Sequence, residues 1–104
     1  MGASSRNWAS GVWVVQAGRE DEFVERWKAW LGWTSENSPG FRSATLLRSE
    51  DDGRRFESFS DWDDEASRTA WRNSDGFLQG FGAARELCDE FEGGNFGVAA
   101  EFSR

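Results

Sequence analysis

Three side chains are candidates for direct action on a bound molecule: Ser58, Trp62 and Arg85. The Ser58 hydroxyl could hydrogen-bond a carbonyl or phenol oxygen, and Arg85 could stabilise a phenolate or a developing oxyanion. The Trp62 indole could stack on a planar ring, which is worth about 0.5–1.5 kcal/mol beyond area burial. With no histidine in the chain and no lysine nearby, nothing activates Ser58 as a nucleophile. We therefore predict that these three catalytic candidates orient and stabilise a substrate.

Four aromatic side chains are predicted to form the walls of a substrate-binding cavity. They are Trp30, Trp71, Phe77 and Phe81. Aromatic residues make up 15% of the 104 residues, although the mean hydropathy is only −0.73. Each ring can bury roughly 150–250 Å², which builds either a dense core or a flat-walled cavity. Composition leaves both interpretations open.

The catalytic candidates also have ordinary structural explanations. Ser58 could be a small residue that leaves room for a tryptophan. Arg85 could pair at the surface with Glu86 or Asp89. Cys88 is expected to be a buried and unreactive thiol.

The charge balance argues against nucleic acid and membrane partners. The formal net charge is −7, whereas a surface that follows phosphates must be net basic. No apolar run approaches the roughly 20 residues that cross a bilayer. A single cysteine cannot form an intramolecular disulfide, which favours a reducing compartment. These features predict a cytoplasmic protein.

Metal chemistry is not predicted either. The absence of histidine excludes histidine triads, histidine-based zinc sites and haem held by a proximal histidine. Acidic clusters at residues 51–52 and 61–65 fall in a turn and at a helix start, where solvation and capping explain them.

A strand and a long helix are predicted in the first 40 residues. Residues 1–10 are small and polar except Trp8 and are expected to be a flexible segment before a single domain at residues 11–104. Residues 11–15 are β-branched and aromatic without polar alternation, which is typical of a strand buried on both faces. After Gly18, apolar residues on one helical face predict a helix that ends before Pro39: Phe23, Trp27, Trp30, Leu31 and Thr34.

The remainder predicts a hairpin, two helices and a last strand. Residues 44–47 and 54–62 flank an acidic turn and form the hairpin. Asp63 is a candidate cap for a short helix, and Ser74 or Asp75 for a longer one. The apolar face of the longer helix is predicted to comprise Phe77, Phe81, Ala84, Cys88 and Phe91. Residues 92–95 would break that helix before a strand at residues 96–102.

This β-α-β-β-α-β order, with a short extra helix, predicts a ferredoxin-like α+β fold: a four-stranded antiparallel sheet with helices on one face. The other face of such a sheet should alternate with polar residues. Residues 11–15, 44–47 and 97–100 do not alternate. A second copy is the simplest cover for that face, so a homodimer joined sheet to sheet is predicted.

Four segments resemble the antibiotic biosynthesis monooxygenase family. They are GREDEFVERW at 18–27, PGF leading to SATLLR at 39–48, RFESF at 55–59 followed by Trp62, and Trp71-Arg72 six residues before Phe77. The resemblance implies a dimeric α+β barrel with a cavity in each subunit between helices and sheet. It also implies an oxygenase that needs no cofactor and acts on a flat aromatic or polyketide-like molecule.

The family's site residues map only partly onto this chain. The tryptophan at the end of the third strand corresponds to Trp62. The asparagine four residues earlier corresponds to Ser58, and the helical arginine falls near Phe81, with Arg85 one turn further on. The haem-degrading branch requires a histidine that is Phe81 here and a first-strand asparagine that falls near Gly11, so haem degradation is nearly excluded.

Three functions follow as hypotheses. The first is cofactor-independent oxidation of a small aromatic molecule. The second is a non-catalytic dimeric module that binds a small ligand or serves as an accessory protein, and the third is a barrel enzyme that catalyses cyclisation or isomerisation. Oxygen consumption with an anthrone separates the first hypothesis from the other two.

Overall fold

The computed structural model describes residues 5–104 as a four-stranded antiparallel sheet with three helices on one face. The elements in chain order are β1 (Asn7–Val15), α1 (Glu20–Asn37), β2 (Phe41–Arg48), β3 (Arg55–Trp62), α2 (Glu65–Arg72), α3 (Asp75–Arg85) and β4 (Cys88–Gly97). The strand order in the sheet is β2-β3-β1-β4. The predicted ferredoxin-like fold is confirmed.

The inner face of the sheet and the apolar face of α1 form the core. Buried residues alternate along β1, from Ala9 to Trp13 and Val15. On α1 the five positions predicted from helical spacing are the five buried ones. Burial of these large side chains supplies the main driving force of folding, at about 25 cal/mol per Å² of apolar surface.

The first strand begins at Asn7, which corrects the prediction that residues 7–10 belong to a flexible segment. Asn7 pairs with Trp62 of β3 and Gly97 of β4, so these residues lie between two strands. The small polar residues there lack the β-branched side chains on which the prediction relied, yet Ala9 continues the inward alternation. Residues 1–4 of the predicted segment lie outside the described residues.

The end of the chain differs most from the prediction. Helix α3 ends at Arg85, and Cys88 and Phe91 lie on β4 instead of the helix. The sheet register shifts at Val15, where Asp89 bulges out between Cys88 and Glu90. The bulge places Cys88 and Phe91 on the same face although they are three residues apart, a spacing that imitates a helix. The predicted last strand exists but is displaced: β4 includes the residues 92–95 that were expected to break a helix, and it contains only residues 96–97 of the predicted 96–102.

Side-chain caps begin both short helices. The Asp64 carboxylate accepts from the Ser67 backbone N–H at 2.8 Å, so the cap is one residue beyond the predicted Asp63. This hydrogen bond lowers the pKa of Asp64. Ser74 caps α3 as predicted, accepting from the Phe77 N–H at 3.1 Å.

Cys88 is buried against the end of α3, where its thiol donates to the Ala84 carbonyl oxygen at 3.5 Å. Burial disfavours the thiolate and raises the pKa of Cys88 to about 11. Because the thiolate is the reactive form, the thiol is inert at neutral pH, in line with its sequence interpretation.

No helix among residues 5–104 combines the length and the apolar character that a membrane crossing requires.

Candidate functional site

A cavity of about 270 Å³ lies between the inner face of the sheet and helices α1, α2 and α3. Its floor consists of small residues on β1 and β3: Ala9, Ser10, Gly11, Ser58 and Ser60. Its walls are aromatic: Trp13, Trp27, Trp30, Trp71, Phe77, Phe81 and Phe91. Phe59 also borders the cavity, but it lies between the inward-facing Ser58 and Ser60, so its ring is on the outer face of the sheet. Leu31 and Arg72 complete the lining.

The cavity extends down to the sheet because small residues face each other across the strands. Gly11 pairs with Ser58 and Ala9 with Ser60, all on the inner face. A Cβ atom at Gly11 would lie 2.8 Å from Trp13 Nε1, 2.9 Å from the Phe91 ring and 3.0 Å from Ser58 Oγ. Glycine is therefore required for these three side chains to keep their positions.

The rings of the wall are held in fixed relative orientations. Trp30 stacks on Trp71 with centroids 5.7 Å apart, and Phe77 stacks on Phe81 at 5.6 Å. The two pairs meet edge to face where Trp30 contacts Phe77. The Trp71 indole N–H also donates to Thr34 Oγ1 at 3.0 Å. This network presents flat apolar surfaces to a ligand, the geometry that aromatic stacking prefers.

Two hydroxyl groups on the floor can donate to a ligand. Ser58 Oγ accepts from Trp13 Nε1 at 3.0 Å, and Ser60 Oγ accepts from Trp62 Nε1 at 2.9 Å. A hydroxyl that accepts from an indole still has its own proton to donate. Within residues 5–104 neither proton is given to another group, so both can serve a carbonyl or phenol oxygen.

The structure brings five of the seven predicted site residues together. Ser58 lies in the floor. The four predicted wall residues are all in the lining: Trp30, Trp71, Phe77 and Phe81. Within residues 5–104, no group of three His, Cys, Asp or Glu side chains could hold a metal ion.

Trp62 and Arg85 lie elsewhere. Trp62 is fully buried behind Trp71, with ring centroids 4.8 Å apart, and is not part of the lining. Arg85 donates to the Cys88 carbonyl oxygen at 2.8 Å, because α3 ends there and its guanidinium follows the chain towards β4. The other expectation, an ion pair of Arg85 with Glu86 or Asp89 at the surface, is not found among residues 5–104 either.

The acids expected beside Arg85 pair with other arginines: Glu86 with Arg26, and Asp89 with Arg54.

Among the lining residues that were not predicted as site residues, such as Ser60 and Trp13, Arg72 is the charged one. Its guanidinium lies over the Phe77 ring, 5.6 Å from the centroid, and donates to the Gly94 carbonyl oxygen at 3.4 Å. Burial, together with the nearby positive charge of Arg68, lowers the pKa of Arg72. The available signal was the i,i+4 spacing of Arg68 and Arg72 beside Trp71 on one short helix.

Comparison with known families agrees with this architecture. The sequence model of the antibiotic biosynthesis monooxygenase family matches residues 11–83, from the first strand to the third helix. The chain belongs to this family. No curated protein matches the sequence at a significant level.

Solved structures share the fold of this antibiotic biosynthesis monooxygenase family member. SnoaB, a cofactor-independent oxygenase from Streptomyces nogalater, superimposes with a TM-score of 0.86 at 23% identity, over 96% of this chain and 99% of SnoaB. A point mutant of SnoaB gives a TM-score of 0.87 at the same identity and coverage. A conserved protein from Methanosarcina mazei gives 0.80 at 18% identity, over 89% of this chain and 92% of the other. At these identities the likeness shows the fold alone.

Proposed function

We propose that this family member is a cofactor-independent monooxygenase that oxidises a flat aromatic or polyketide-like molecule. The observation that carries the proposal is the aromatic cavity with two available hydroxyl donors in its floor. The family match and the likeness to an oxygenase named as cofactor-independent support it. A reducing cytoplasmic setting stays a prediction.

In this reaction the substrate supplies all the electrons. An anthrone methylene group gives up two hydrogen atoms, takes one oxygen atom of O₂ and becomes a quinone carbonyl. The second oxygen atom leaves as water with those two hydrogens. The protein's task is to hold the ring, stabilise the substrate anion and exclude water.

Each lining group has a role in the proposal. The Ser58 and Ser60 hydroxyls donate to substrate oxygens, and the rings of Trp30, Trp71 and Phe77 stack on the substrate. Trp62 acts as a positioning residue through Trp71, which it supports from behind. Arg85 receives no role at the substrate because it lies outside the lining.

The test is oxygen uptake with 9-anthrone in an oxygen electrode, with the product identified as anthraquinone. Uptake should be catalysed and should match the anthrone consumed one for one. Gly11→Ala should lower kcat/KM about tenfold or more, because its new methyl group displaces Ser58 and the neighbouring rings and misplaces the substrate. The matched control is Gly32→Ala on α1, where nothing lies within 4 Å of the added atom. Equal kcat/KM values in both folded variants would contradict a role of the cavity in the reaction.

A second candidate function is ligand binding without turnover. Of the described residues that line the cavity, Arg72 alone carries an ionisable side chain, so the lining holds a cation and hydroxyls but no carboxylate base. Tight binding of anthrone without oxygen uptake is the result that favours this candidate.

We further propose a homodimer that forms through the outer face of the sheet. That face carries apolar side chains, among them Val12, Val14 and the largely exposed Leu47 and Phe96. Burying such a patch against a second copy removes it from water. Light scattering after size-exclusion chromatography should give the mass of two chains. The mass of a single chain at micromolar concentration would contradict the proposal.

A further inference from the structure

We infer that Thr34 is a positioning residue of the cavity: its hydroxyl fixes the orientation of the Trp71 indole and thereby the aromatic surface that a ligand meets. Thr34 lies on α1 and is not among the described residues that line the cavity. It acts through Trp71, which is in the lining. The inference rests on the proposed function in one respect, the entry of a flat aromatic ring into the cavity.

The first argument is that a fully buried hydroxyl on an apolar helix face has two protein partners. The exposed fraction of Thr34 is 0%. Its hydroxyl donates to the Trp30 carbonyl oxygen at 2.9 Å and accepts from Trp71 Nε1 at 3.0 Å. Threonine is a poorer helix former than leucine, and a buried hydroxyl is costly unless it is hydrogen-bonded. The hydrogen bond with Trp71 explains why this core position carries a hydroxyl. The other buried positions of α1 are apolar: Phe23, Trp27, Trp30 and Leu31.

The second argument is a contrast with the two hydroxyls of the floor, which also accept from an indole. Ser58 accepts from Trp13 and Ser60 accepts from Trp62, and both serines line the cavity. Each can still donate its own proton to a ligand. The proton of Thr34 is already given to a backbone carbonyl oxygen. The Thr34 hydroxyl is therefore placed to hold an indole, whereas the serine hydroxyls are placed to bind a ligand.

The third argument is that packing alone does not determine how the Trp71 ring is turned. Its ring packs against Trp30, Trp62 and Phe77, with ring centroids 5.7, 4.8 and 4.7 Å away. Apolar burial is non-directional, whereas a hydrogen bond requires a defined angle at the donor. The hydrogen bond to Thr34 therefore selects the orientation in which the indole N–H points towards α1 and not into the cavity.

This orientation decides what the wall offers to a ligand. Because its N–H is satisfied by Thr34, Trp71 presents carbon atoms to the cavity, and a substrate oxygen is directed to the floor hydroxyls of Ser58 and Ser60. Without the Thr34 hydroxyl, the indole would be a buried donor without an acceptor, which is costly. The ring would turn to find an acceptor, and its stack with Trp30 would be disturbed.

The test compares Thr34→Val, which keeps the shape of the side chain without the hydroxyl, with Thr34→Ser, which keeps the hydroxyl without the methyl group. Anthraquinone affinity is measured by quenching of tryptophan fluorescence. Thr34→Val should weaken binding about five- to tenfold, the equivalent of one lost hydrogen bond, and Thr34→Ser should stay within about twofold of the wild type. The matched control is Thr69→Val, which should change nothing because Thr69 is exposed on α2.

A double-mutant cycle separates positioning from a general loss of stability. In the Trp71→Phe background the ring has no N–H to position, so adding Thr34→Val should leave anthraquinone affinity unchanged. A threonine that only supports the fold would lower affinity in both backgrounds. The melting temperature of each variant establishes that affinity is compared between folded proteins.

The indole N–H signals give a readout that needs no ligand. Each of the seven tryptophans contributes one indole signal to a proton–nitrogen correlation spectrum, and the Trp71 signal is identified by its loss in Trp71→Phe. Exchange of this proton with solvent deuterium should be about tenfold faster in Thr34→Val than in the wild type or in Thr34→Ser, because a hydrogen-bonded N–H is protected.

Four results would each overturn the inference: wild-type affinity in Thr34→Val, an equal loss of affinity in Thr34→Ser, the same loss in the Trp71→Phe background, or unchanged exchange of the Trp71 N–H. The proposed oxygenase is judged separately. The expected affinities without oxygen uptake support the inference and contradict the oxygenase. Catalysed uptake with an unchanged KM for anthrone in Thr34→Val supports the oxygenase and contradicts the inference. Absence of anthraquinone binding by the wild type contradicts both.

Discussion

Trp62→Ala is expected to lower the free energy of unfolding by about 3–5 kcal/mol, the range found when a buried tryptophan or phenylalanine is truncated. The Trp62 side chain is fully buried. Its ring packs against Phe41 and Trp71, with ring centroids 5.4 Å and 4.8 Å away. Its indole N–H donates to Ser60 Oγ. Truncation removes these contacts and leaves a cavity under the wall of the site. Urea denaturation followed by circular dichroism measures the change.

The matched control for this prediction is Trp33→Ala. Trp33 lies on α1 with 39% of its surface exposed, so its truncation should cost less than about 1.5 kcal/mol. Trp62→Phe separates packing from chemistry, because it keeps a ring behind Trp71. This variant should keep most of its oxygen uptake. A folded Trp62→Phe protein that has lost all uptake would show that Trp62 acts on the substrate directly.

Gly80→Ala is expected to destabilise the protein by about 2–3 kcal/mol, although the same change in an open helix position stabilises. A Cβ atom at Gly80 would lie 2.2 Å from Trp30 Cδ1, 2.3 Å from Cγ and 2.8 Å from Cβ. The last two atoms lie close to the α1 backbone and cannot move aside by rotation alone. Helices α1 and α3 must therefore separate. The shift also moves Trp30, so ligand affinity should fall together with the melting temperature.

Gly82→Ala is the matched control on the same helix. Nothing lies within 4 Å of the atom added there, and alanine loses less backbone entropy on folding than glycine. This variant should gain about 0.5–1 kcal/mol. The two changes, two residues apart, should have opposite signs. If both stabilise, the close approach of Trp30 to Gly80 is not present in solution.

Local patterns along the chain were sufficient to predict most of the fold. Helix α1 was predictable because its buried positions repeat with the helical period, and β3 because Phe56, Ser58 and Ser60 alternate inward. The end of the chain was not predictable in this way. One bulged residue, Asp89, changes the alternation of β4 so that Cys88 and Phe91 match a helical spacing. The bulge depends on pairing with Val14 and Val15, which are distant in sequence.

The candidate site was predictable where its residues share a face with neighbours in the sequence. Ser58 and four of the aromatic wall residues follow from such patterns: Trp30, Trp71, Phe77 and Phe81. Arg72 was not predicted because its place in the lining depends on tertiary packing: it lies over Phe77 of α3 and donates to the Gly94 carbonyl oxygen of β4. The expectation that Arg85 lies at the site was not met for a related reason, since the direction of its side chain depends on where α3 ends.

The rings of Trp13, Trp30 and Trp71 belong at once to the hydrophobic core and to the lining of the cavity. A substitution at one of these rings that changes ligand preference therefore also changes the packing of the hydrophobic core. A lineage that exchanges one of these rings for another substrate must first acquire surplus stability elsewhere. Substitutions at small residues of the floor, such as Ala9 and Ser60, can change ligand preference with a smaller loss of stability.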